Sequence, residues 1–117
     1  MARRIVPLPE EDFVAACRRI DEGSPDRAAL KTATVHLLAL LVQKAPGGSV
    51  EVRIPPFAAV QCIEGARHTR GTPPAVVEMD AATWIALARG RLAWSDATLR
   101  ASGERSDLSP LLPLVST

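Results

Sequence analysis

Apolar positions recur at helical spacing up to residue 45 and alternate over residues 49–54. In "LPEEDFVAACRRIDEG", Phe13, Cys17 and Ile20 share one face, with Arg18 and Arg19 turned away. Pro9 stands in the opening turn beside Glu10, Glu11 and Asp12, where acids suit the positive end of a helix. Gly23 closes it, which predicts a helix over about 9–22. The next stretch, "SPDRAALKTATVHLLALLVQKAPGG", carries the strongest helical signal. Ser24 is the expected N-cap, with Pro25 in the first helical position. Leu30, Leu37, Leu38, Leu41 and Val42 make a wide apolar stripe; Thr32, His36 and Gln43 lie on the other side, which places His36 at the surface.

"SVEVRIP" alternates as a half-buried strand does, Val50, Val52 and Ile54 against Glu51 and Arg53. Pro55 and Pro56 cannot donate to a ladder and so turn a corner. "FAAVQCIEG" is apolar on both faces and reads as an internal strand, "GARHTRGTPP" as a loop and "AVVEMD" as a third strand. Asp80 caps a helix over "AATWIALARG", with Gly90 as its stop. Ser95 is placed to cap a short helix "DATLR", and "ASGERS" is a short edge strand. "DLSPLLPLVST", with Asp107 or Ser109 as cap, predicts one helical turn or an irregular apolar tail. Strands clustered between helices and joined by short connections favour an α+β fold with a mainly antiparallel sheet.

A chain of 117 residues is one domain, here 1–117, large enough to bury a core. With 47% apolar but only 3% aromatic residues, that core is built from Leu, Val, Ile and Ala. The net charge of +1 gives no field for nucleic acid. Cys17 and Cys62 are too few for a disulfide scaffold or a zinc site and fit a reducing cytoplasm. No leader and no membrane span is read in the sequence, so a cytoplasmic location is expected.

Catalytic patterns are weak. The sequence has no GxSxG, HExxH, CxxC or phosphate-loop motif, and two histidines without an acidic cluster do not make a metal site. Cys62 lies in an apolar strand, where thiols are inert. The reading is of a non-enzyme without cofactor or metal. Arg67, His68 and Arg70, joined by Arg53, could clamp a carboxylate or phosphate headgroup; the same arginines could instead pair with Glu64 and Glu78 on a solvated loop.

The segment "VVEMDAATWIALARGRLAWSDATLRASGERSDLSPLLPL" resembles the end of the sterol carrier protein fold. The match runs through Asp80, Trp84, Leu87, Gly90, Leu92, Ala97, Gly103 and Leu111 to Leu114. "PPFAAVQCIEG", followed by "HTRGTPP", is similar to a smaller actinobacterial group, the bacterial sterol carrier orthologues. The resemblance covers roughly residues 25 to 115, which leaves the first helix additional to it. It implies a sheet of about five strands covered by helices, with a hydrophobic tunnel for a lipid, fatty acyl or sterol-like molecule. The residues expected to line it are Leu37, Leu38, Leu41, Trp84, Leu87, Leu111, Leu112 and Leu114, from the helices and tail that cover the sheet. The alternative is a non-catalytic interaction or dimerisation module, a homodimer included, without a ligand.

Overall fold

The computed structural model describes residues 5–23, 25–65, 75–103 and 106–116. Helices α1 (Glu10–Asp21) and α2 (Arg27–Lys44) lead into strands β1 (Val50–Ile54), β2 (Ala58–Cys62) and β3 (Ala75–Glu78). Helix α3 (Ala81–Ala88) and strand β4 (Arg100–Ser102) follow. Single 3-10 turns form at Trp94–Asp96 and Ser109–Leu111.

The α+β class agrees with the sequence, but the sheet differs from the one expected. Among the described residues it has four strands rather than about five, ordered β2-β1-β3-β4, and it is mixed, with two antiparallel pairs and one parallel pair. β1 pairs antiparallel with β2 and parallel with β3, and β3 pairs antiparallel with β4. The chain therefore passes from one side of β1 to the other between Cys62 and Ala75. Burial explains the placing. Val50, Val52 and Ile54 are wholly buried, and so β1 takes an interior position with β3. β2 lies at the edge instead of inside, because Ala59 and Gln61 face solvent. The register sets Val50 against Cys62 and Ala75, and Val52 against Val60 and Val77, so one sheet face is a continuous apolar layer. The other face carries Glu51, Arg53 and Glu78.

α2 covers the apolar layer and is itself packed between α1, α3 and β2. It is buried on nearly every side, from Ala29, Ala33 and Thr34 to His36, Leu37, Leu38, Ala39 and Leu41. Its cap is Asp26; Ser24, expected in that place, lies outside the described residues. The Asp26 carboxylate accepts the Ala29 N–H at 2.8 Å and also pairs with Arg19 of α1. A carboxylate one residue past Pro25 satisfies a first-turn donor and carries the favourable charge as well. Asp80 caps α3 as expected, accepting the Thr83 N–H at 2.8 Å. "DATLR" is not a helix. Only Trp94–Asp96 turns, because Arg100 is drawn into the ladder opposite Glu78.

Candidate functional site

The apolar residues named from the sequence come together between α2, α3 and the tail. Leu37, Leu38, Leu41 and Trp84 have no exposed surface and Leu87 has 2%. Trp84 lies wholly inside. Its indole Nε1–H donates to the Thr34 carbonyl at 3.3 Å. The Thr34 hydroxyl, one turn before Leu37 and Leu38, is wholly buried and has no hydrogen-bond partner among the described residues. Leu111, Leu112 and Leu114 are half-buried and pack against this core from outside. The Leu114 and Val115 N–H groups both donate to the Ala88 carbonyl, at 2.8 and 3.2 Å, and Lys44 Nζ donates to the Leu111 carbonyl at 2.8 Å.

A second feature was not foreseen. An open cleft of about 390 Å³ lies between α1 and the end of α3, lined by Phe13, Val14, Cys17, Arg18, Asp21, Glu22, Arg89 and Arg91. Arg89 directs its Nη1 and Nη2 at the two Asp21 oxygens, at 3.0 and 2.9 Å. Arg91 Nη1 reaches the same carboxylate at 2.9 Å. The Arg89 side chain is 3% exposed, so this fork fixes α1 to α3 from within. The Arg89 bond, ahead of the charges of both arginines, holds the Asp21 carboxyl below the usual carboxylate range. Burial pushes the Cys17 thiol up, with Arg89 opposing it. Ala88 anchors the tail and its neighbour Arg89 anchors α1, so one turn of chain serves both.

His36 is buried rather than exposed. Its ring stacks on Phe13 at 4.4 Å between centroids, and its Nδ1 accepts the Leu8 N–H at 3.0 Å. That bond fixes the neutral ring with its proton on Nε2. Burial lowers the pKa of His36, and the charge of Glu10 partly opposes it. For both His36 and Asp21 the folded pKa lies below the unfolded one. Each contribution to stability is therefore full above the unfolded value and lost as pH falls through the folded one. The window opens below 6.5 for His36 and below 3.8 for Asp21. The urea midpoint is expected to fall as pH drops from neutral, and His36→Asn, whose amide oxygen accepts the Leu8 N–H without titrating, should flatten the upper part. Equal slopes in both proteins would contradict this assignment.

Of the proposed headgroup residues, Arg53 is exposed on the open sheet face and pairs with Glu51. Arg67, His68 and Arg70 lie outside the described residues. Cys62 is wholly buried, and burial lifts its thiol to about 11. Among the described residues no group of three or more His, Cys, Asp or Glu side chains could hold a metal ion. Nor is any described helix long and apolar enough to cross a membrane. Sequence reasoning missed Asp21, Arg89 and Arg91. One signal was present: Arg89 falls one turn after Ile85, on a face that is otherwise buried.

No curated protein matches the chain. A family model described as "Bacterial SCP ortholog" matches residues 26–114, a span that takes in α2, the whole sheet, α3 and the tail and begins after α1. The chain belongs to this bacterial sterol carrier protein-like family.

Proposed function

We propose that the protein binds a neutral hydrophobic small molecule, an aliphatic chain bearing one oxygen function, between α2, α3 and the tail. The family supports a hydrophobic ligand in general. The observation that carries the finer reading is the Thr34 hydroxyl. It is wholly buried, has no partner among the described residues, and lies on α2 one turn before the buried Leu37 and Leu38. An unsatisfied buried hydroxyl costs about 1–3 kcal/mol, and a ligand oxygen accepting from it would recover that. The ligand is neutral because an unpaired carboxylate in such surroundings is far more costly to bury. Each buried methylene adds about 0.8 kcal/mol, enough for a medium chain to bind on apolar contact alone.

Entry falls to the tail. The leucine layer is closed to solvent, and Leu111, Leu112 and Leu114 are its half-buried outer cover. Among the described residues, lifting them breaks two N–H bonds to one carbonyl and a lysine contact, while α2, α3 and the sheet keep their own bonds.

Thr34→Val tests the reading, since it keeps the shape and removes the hydroxyl. The variant should gain about 1 kcal/mol of stability without ligand. It should bind dodecanol several-fold more weakly in a fluorescence titration. A variant that is less stable, or that binds dodecanol as the wild type does, would remove the basis for the proposal.

A further inference from the structure

We infer that the cleft between α1 and the end of α3 is a second binding site, one that takes a small apolar monocarboxylate. It is separate from the aliphatic layer and does not rest on the reading given for that layer. Phe13, Val14 and Cys17 supply the apolar part of its walls, with Val14 the exposed one and the other two nearly wholly buried. At about 390 Å³ the cleft falls at the small end of ligand sites, which suits a short branched or ring hydrocarbon rather than a long chain.

The charges favour an anion. Three of the lining residues are arginines, Arg18, Arg89 and Arg91, against two acids, Asp21 and Glu22. Asp21 already faces two guanidinium groups, so its own charge is answered. Arg18 lines the cleft, is exposed, and makes no ion pair among the described residues. An incoming carboxylate meets Arg18 and Arg91 at the rim while its hydrocarbon part covers the walls. A second negative charge would find Asp21 and Glu22 opposing it, which selects a monoanion.

The site is also built in advance. Phe13 is held by its stack on His36, which the Leu8 N–H fixes in turn. Arg89, almost wholly buried, sets the distance between α1 and α3. Little has to be ordered when a ligand arrives.

The test is a titration of the full chain with isovalerate, followed in amide nitrogen–proton spectra, with isoamyl alcohol as the neutral match. Isovalerate should give saturable shifts at Val14, Cys17 and Arg89, and the alcohol should bind about tenfold more weakly. The double variant Arg18→Gln, Arg91→Gln should bring isovalerate to the level of the alcohol. Val14→Asp, at a position 40% exposed and so tolerant of a polar side chain, should abolish isovalerate binding by setting an acid in the cleft. Equal affinity for acid and alcohol, shifts elsewhere, indifference to both variants, or no saturation would each overturn the inference.

Discussion

Trp84→Ala should cost about 3–5 kcal/mol of folding stability, which is much of what a domain of this size possesses. Trp84 has no exposed surface and is the largest side chain in the core. Its indole fills the space between α2 and α3, where its N–H answers the Thr34 carbonyl. Truncation removes the indole bond to that carbonyl and leaves a cavity in a close-packed core that has no exposed surface at this point. Trp84→Phe keeps most of the ring volume and should lose less than half as much. Urea unfolding followed by circular dichroism measures both. A loss below about 1 kcal/mol for the alanine variant would mean that the layer is not packed as described.

Gly47→Ala is expected to be nearly as damaging, by a different route. A Cβ there would lie 2.3 Å from the Ile63 carbonyl carbon and oxygen and from the Glu64 nitrogen, and Gly47 has φ +148. The obstacle is main chain, and it is fastened. Ile63 N–H donates to the Ala45 carbonyl at 2.7 Å, and the Ile63 carbonyl accepts from Ser49 N–H and hydroxyl at 3.0 and 2.6 Å. Ile63 itself has φ 65, a strained setting for a β-branched residue that these three bonds enforce. Neither partner can yield, so a loss of about 2–4 kcal/mol follows. Gly48→Ala is the control. Its Cβ would meet only the Gln61 Oε1 at 3.3 Å, the end of a side chain that can swing away. Comparable losses for the two variants, again by urea unfolding, would contradict the close approach.

The sequence made some features plain because one local cause decided them. Alternation fixes β1, and Asp80 announces α3 through a side chain that can reach a first-turn N–H. Other features depend on what lies across the gap. The apolar pattern marks four strands; the fifth came only from the resemblance. Strand direction leaves no trace in a hydrophobic pattern, so the parallel β1–β3 pair was hidden. β2 looked internal because alanine is apolar by composition yet too small to demand burial, and Ala59 faces solvent. His36 looked exposed because Thr32 and Gln43 share its side of α2, but α1 lies over that side and Phe13 covers the ring.

The candidate sites divide in the same way. The leucines of α2, with Trp84 and Leu87, were readable as one apolar assembly, and the fold does bring them together. The Thr34 hydroxyl was not, since a threonine within a helix is ordinary until its hydroxyl proves buried and, among the described residues, without a partner. Asp21 and the two arginines it meets lie 68 and 70 residues apart in the chain. Each looks like an ordinary charge at a helix end, and only the packing of α1 on α3 makes them a unit.

Native mass spectrometry of the full chain, purified without detergent and incubated with dodecanol, tests the central claim most directly. The account predicts one ligand mass per chain and a weaker adduct for Thr34→Val. A spectrum that shows only the bare chain, whether monomer or dimer, would contradict it.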